Sequence, residues 1–177
     1  SAPLGVLDIA GRWDEGDKNI DFALRNNLGG QNTIDAAGKV LLKDKTLDAK
    51  VDMDRFNISY VQPMLTDVFS EMDGYISGSI LVGGKFDALG VSSVDCRLDE
   101  GLLRVDYTNV PYYADGTFHL DSKGVYFDDV RIRDRFNGTG SIHGSIGWNN
   151  FKDINYNLEM KVNDIEGINL IEGMNET

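Results

Sequence analysis

The residues able to do chemistry in this 177-residue chain are few: two histidines, one cysteine, three acidic clusters and a small set of aromatic side chains. His119 and His143 fall on the polar side of alternating stretches and read as surface histidines, because a metal site would need them adjacent and joined by carboxylates. The acidic clusters Asp14-Glu15-Asp17, Asp52 with Asp54, and Asp128-Asp129 lack the EF-hand spacing that makes carboxylates and carbonyls converge on calcium. Cys96 is the single cysteine, so neither an internal disulfide nor a cysteine metal cluster is available. It alternates with Val94 and Leu98 and reads as core. No nucleophile elbow, HExxH, phosphate loop or paired-cysteine pattern occurs. Trp13, Trp148, Tyr107, Tyr112 and Tyr113 could form a sugar-stacking platform, but both tryptophans lie on the apolar alternation. Tyr112 and Tyr113, after Pro111, are the best exposed aromatics. The acceptor patterns at Asn57, Asn137 and Asn175 are short matches in an Asn-rich chain and carry no argument. The expectation is a protein without catalytic residue, metal or cofactor.

Composition narrows the class further. A hydrophobic fraction of 41% with 26% charged residues is that of a globular domain rather than a disordered one. Seventeen basic against 29 acidic residues leave a net charge of −12, which disfavours attraction to nucleic-acid phosphate or to an anionic membrane surface. No run of 18 apolar residues occurs, so no transmembrane helix is expected. The lack of a signal peptide and an initiator methionine suggests one β-rich domain, 1–177, cut or processed from a longer protein.

The elements that must position these residues are read from periodicity. From Gly138 to Val162, Ile142, Gly144, Ile146 and Trp148 alternate with Ser141, His143, Ser145 and Gly147. After a turn around Asn149-Asn150 and Lys152-Asp153, the residues Ile154, Tyr156, Leu158, Met160 and Val162 alternate with Asn155, Asn157, Glu159 and Lys161. A period of two means two half-buried strands. The same hairpin style opens the chain, with Leu7, Ile9, Gly11 and Trp13, then Ile20, Phe22 and Leu24. It recurs at Ile34 to Val40 and Leu47 to Met53. The latter aligns with the Gly138–Val162 hairpin at an offset of 108 residues in one arm and 107 in the other, which suggests an internal repeat. Leu65, Val68, Phe69 and Met72 fall at i, i+3, i+4 and i+7, predicting one short helix near 63–72 between Pro63 and Gly74. Strands resume through Val94-Cys96-Leu98, a turn at Asp99-Glu100-Gly101, Leu103-Val105-Tyr107, Phe118-Leu120, a turn at Ser122-Lys123-Gly124, and Val125 to Ile132. Glycines between isoleucines at Gly78 and Gly144 mark bends or bulges in a deliberately curved sheet.

The expected fold is therefore all-β: a curved antiparallel meander folded into an elongated taco-like or open-barrel sheet with an apolar interior. Residues 1–60 form a hairpin repeat, 61–73 the short helix and 74–177 the main sheet. Short connections favour a rolled meander over a Greek-key sandwich, and an incompletely rolled sheet would expose an apolar groove suited to acyl chains or partner strands.

Five features between Leu65 and Val162 also carry a resemblance. They are Met72-Asp73-Gly74 with Gly78, the segment from Val105-Asp106-Tyr107 to Tyr113, and Phe127-Asp128-Asp129 with Arg131 and Asp134. Gly140-Ser-Ile-His-Gly and Asn150-Phe151 complete the set. In order and spacing these resemble the C-terminal region of the TamB family, the AsmA-like translocation and assembly module, in its Bacteroidetes form. The match covers a little over half of the chain, and residues 1–60 share only the hairpin style. The resemblance implies a non-enzymatic periplasmic segment of an inner-membrane-anchored envelope protein that reaches toward the outer membrane. Its β-taco groove would carry phospholipid between the membranes or assist assembly and secretion of outer-membrane β-barrel proteins, with a barrel-assembly partner of the BamA or TamA type. The inward face expected to touch acyl chains or client is Ile76, Ile80, Val105, Tyr107, Ile132, Ile142, Ile146, Trp148, Tyr156, Leu158 and Met160. Edge strands could also pair between molecules. The competing reading is a carbohydrate-binding or adhesin module built on Tyr112, Tyr113 and a tryptophan.

Overall fold

Ten strands in one antiparallel sheet, ordered as they occur in the sequence, make up the computed structural model, which describes residues 5–60, 62–64, 69–105, 109–149 and 152–163. The strands are β1 (Val6–Asp14), β2 (Asn19–Asn27), β3 (Ile34–Leu41), β4 (Thr46–Asn57), β5 (Phe69–Lys85), β6 (Ala88–Val105), β7 (Val110–Asp121), β8 (Gly124–Arg133), β9 (Thr139–Asn149) and β10 (Lys152–Asn163). The all-β curved meander expected from the alternation is what forms; part of it rolls into a small ring, with further strands outside. Among the described residues no helix is long and apolar enough to cross a membrane.

The turns follow from local chemistry. Asp14 Oδ1 accepts from the amides of Gly16 (2.9 Å) and Asp17 (3.1 Å), closing the β1–β2 hairpin. Asp121 Oδ1 accepts from Lys123 (2.7 Å) and Gly124 (3.1 Å) at the β7–β8 turn. Two loops use buried polar side chains instead. Asn26 accepts from the amides of Thr33 and Ile34, and Asp134 from those of Phe136 and Gly138, all within 2.7–2.9 Å. Asn26 is 1% and Asp134 2% exposed, so each replaces hydration of loop amides by a fixed acceptor.

The sheet has a regular half and a bulged half. From β1 to β4 the pairing runs without a register shift. From β4 to β9 every pair carries at least one shift, and the β5–β6 pair carries three. A bulge bends and twists its strand, so the bulged half is the one that curls. Gly78 shows the device at one site: its φ is +141°, and a Cβ there would lie 2.5 Å from the Asp95 carbonyl oxygen.

The core sits inside that curl. Met72, Leu98, Ala114, Val130 and Ile132, from β5 to β8, form a buried cluster closed by Ile58 of a single 3-10 turn, Ile58–Tyr60. Ile76, Leu103, Tyr112, Phe118, Phe127 and Ile142 pack around it.

Three sequence expectations change. The helix near 63–72 is absent as such: Gln62–Met64 is a 3-10 turn, Phe69–Met72 opens strand β5, and 65–68 lie outside the described residues. A bulge between Phe69 and Glu71 shifts strand parity by one, turning a spacing of two into a spacing of three that mimics a helical stripe. The turn expected at Asp99-Glu100-Gly101 is instead a bulge inside the 18-residue strand β6, with Glu100 at φ +54°. Lys152 and Asp153, expected in a turn, begin β10. The two hairpins aligned in the sequence pair in matching register: Ile34 with Met53 and Ala36 with Val51, Ile142 with Met160 and Gly144 with Leu158.

Candidate functional site

The apolar face of the regular half is built by register. Leu24 of β2 stands between Ile9 of β1 and Ala36 of β3, which pairs with Val51 of β4 and through it with Ile80 of β5. The adjacent row runs Gly11, Phe22, Gly38, Ala49 and Val82. Because side chains alternate, these rows share one face of the sheet. Small residues at Gly11, Ala36, Gly38 and Ala49 make that face shallow, and its larger side chains stand around them.

Burial differs between the two ends of this face. Ile132 is buried, and Ile76 and Ile142 pack against the core cluster, so these three predicted contact residues fill the interior of the curl. Ile80 and Ile146 are half-buried. At the other end no described residue covers β1: Leu7 is 46%, Trp13 51% and Ile9 72% exposed. Ala36 and Ala49 are buried and Phe22, Leu24 and Val51 half-buried, so the open part of the apolar face lies at β1. Val105, Trp148, Tyr156, Leu158 and Met160 occupy strand positions in β6, β9 and β10. By register Tyr156 stands opposite Ile146 and Met160 opposite Ile142. Tyr107 lies outside the described residues. The sequence placed Leu7 and Ile9 in an alternating strand without a role, and Trp13 on the same alternation pointed to core packing rather than sugar stacking, whereas Trp13 stands exposed on the edge strand.

Three residues on the polar face meet where the sequence reading kept them apart. His119 Nδ1 lies 2.9 Å from Asp128 Oδ2, and His143 Nδ1 lies 3.0 Å from the Asp128 carbonyl oxygen. The bulge between Phe127 and Val130 puts Asp128 between the two histidines, and His119 also stacks on Tyr126 at 4.9 Å. Among the described residues no group of three or more His, Cys, Asp or Glu is arranged to hold a metal ion. Of the aromatics proposed for sugar stacking, Tyr112 packs against the core, whereas Tyr113 is 41% exposed beneath the guanidinium of Arg133. Trp13 lies at the far edge of the sheet.

Cys96 behaves as expected from its alternation. It is 1% exposed, and burial, reinforced by the nearby Asp95 carboxylate and opposed by a bond to Ser93, pushes its thiol above the usual range. Asp52 shifts the other way, held down by Lys50 (2.8 Å) and by the Ser79 hydroxyl, in a polar row outside the curl.

A further concavity of about 680 Å³ opens on the polar face of β7 to β10, bordered by Tyr113, Arg131, Arg133, Thr139, Ser141 and Lys161. No family model, curated protein or solved structure matches the chain.

Proposed function

We propose that this chain is a non-enzymatic, TamB-like segment of an envelope protein that offers a hydrophobic β surface to phospholipid acyl chains. The observation that carries the reading is the difference in burial between the two ends of one apolar face. It is packed and buried at Ile132 but open at Ile9, Trp13 and Leu7, so one end of the curl is core and the other is an uncovered ledge. Exposed aliphatic and aromatic groups in a contiguous row lower their free energy by roughly 25 cal/mol for each Å² removed from water, and an acyl chain lying along Leu7, Ile9 and Trp13 of β1 would remove it. A curved meander with glycine bulges and the ordered motifs from Met72 to Phe151 support the TamB-like reading. In that reading the chain sits in the periplasm, and unfolded strands of outer-membrane barrel proteins are the second class of occupant.

The test uses Trp13 as the reporter. A Trp148→Phe variant leaves Trp13 as the single tryptophan, and phospholipid with brominated acyl chains quenches an indole in contact with it. Quenching that saturates, and that Ile9→Asp abolishes without changing the circular dichroism spectrum, supports an acyl-binding face. Fluorescence that brominated lipid leaves untouched sinks the proposal.

A further inference from the structure

The net charge of −12 makes a cluster of cations the unexpected feature of this surface. Arg131 and Arg133 stand two residues apart on β8 and share its polar face. Arg131 pairs across to Ser141 of β9, and Ser141 pairs to Lys161 of β10; Arg133 pairs to Thr139. Neighbouring strands lie about 4.8 Å apart and residues i and i+2 about 6.7 Å apart, so the three cationic groups ring a patch small enough for all of them to reach one anion. The depth of the cleft has a simple origin. Short Thr139 and Ser141 form its floor between long Arg131 and Arg133 on one side and Lys161 on the other, with Tyr113 as a further wall.

These cations are poorly neutralised. Among the described residues Arg131 and Arg133 have no ion pair, and the ring of Tyr113 lies 5.4 Å from the Arg133 guanidinium carbon. Among the described residues Lys161 pairs with Glu159, at 3.7 Å with both side chains at least 70% exposed, a separation and exposure at which pairing is weak. Among the described residues the one carboxylate in the cleft is Asp115, which lies across from Arg131, forms no ion pair with it and accepts from the Glu100 amide at 2.8 Å. Two guanidinium forks, an ammonium and the hydroxyls of Thr139, Ser141 and Tyr113 make a donor set matched to a tetrahedral oxyanion.

We infer that this cleft binds a phosphate group, carried either by a lipid headgroup or by a soluble phosphate. It is independent of the acyl-binding reading, since that reading rests on the exposed side chains of β1 and this cleft on β7 to β10. The experiment is amide chemical-shift mapping during titration with inorganic phosphate at low ionic strength, paired with flotation on vesicles of phosphatidylglycerol or of phosphatidylcholine alone. Saturable shifts confined to Arg131, Arg133, Thr139, Ser141 and Lys161 are expected. Arg131→Gln should weaken phosphate at least tenfold, and 0.5 M salt should erase most of the effect by screening. Flotation with phosphatidylglycerol but not phosphatidylcholine, lost in an Arg131→Gln/Lys161→Gln variant, identifies the headgroup as the source. Phosphate binding without flotation identifies a soluble phosphate. All three cations are surface groups, so these variants retain the fold, and Ile9→Asp should leave the phosphate shifts unchanged. Absence of shifts in the cleft, or equal binding by Arg131→Gln, overturns the assignment.

Discussion

Replacing Ile132 by alanine tests whether the curl has a filled interior. Ile132 is 5% exposed, and its cross-strand neighbours on the two sides are Ala114 and Gly140. Neither neighbour has a side chain long enough to swing into the space that the substitution leaves, so the cavity persists. Large-to-small substitutions in cores cost roughly 2–5 kcal/mol, with the upper part of the range where the site cannot collapse. The expected loss is therefore about 3–4 kcal/mol. Ile9→Ala is the matched control: at 72% exposure its side chain contributes little, and a loss within about 0.5 kcal/mol is expected. With a urea dependence of about 2 kcal/mol per molar, the Ile132 variant should unfold some 1.5–2 M earlier than the parent and the Ile9 variant within about 0.3 M of it. Far-ultraviolet circular dichroism and tryptophan fluorescence, followed through the same urea series, make the measurement. Equal midpoints for the two variants, or a loss below about 1 kcal/mol at Ile132, would refute the packed curl and leave the whole apolar face open.

Gly78→Ala should destabilise by about 2 kcal/mol or more, since it combines a left-handed φ with a Cβ placed 2.5 Å from a backbone oxygen; Gly29→Ala, with nothing within 4 Å, isolates the conformational part in the same denaturation assay. Asp134→Ala removes the acceptor for two loop amides and should cost about 2–3 kcal/mol, whereas Asp134→Asn keeps an acceptor oxygen and should recover most of it; an alanine variant as stable as the parent would remove Asp134 from the loop's support. Cys96 should resist a thiol reagent until urea unfolds the chain. Because folding raises its pKa, the protonated thiol is favoured in the native state. Its contribution is full below the unfolded thiol's pKa and fades as pH rises through the folded one, so Cys96→Ser should flatten the alkaline limb of the stability profile.

Much of this molecule is readable from local pattern. A period of two at Leu47 to Met53 or Ile142 to Ile146 forces a half-buried strand, because alternation puts every second side chain on the same face. Turn residues such as Asp14 and Asp121 fix where the chain reverses, because a carboxylate two residues before an exposed amide captures it. The glycines at Gly78 and Gly144 announced curvature for the same local reason, and both adopt left-handed φ values. Periodicity misled at Phe69 to Met72, where a bulge disguised a strand and the long β6 offered a partner that no local pattern could reveal. It also could not say what covers each apolar row. Ile132 and Ile9 look alike in the sequence, each an isoleucine on an alternating strand. One is buried because bulges between β4 and β9 roll the sheet over it, and the other is open because β1 is the edge strand at the unshifted end and has a neighbour on one side only. Likewise Arg131, Arg133 and Lys161 lie up to 30 positions apart and become one cleft only through strand pairing. The sequence by itself determined the strands, their faces and most turns, since these depend on neighbours one or two residues away. Tertiary structure decided which part of the apolar face is core and which is surface, because curvature and burial depend on register between strands far apart in the chain.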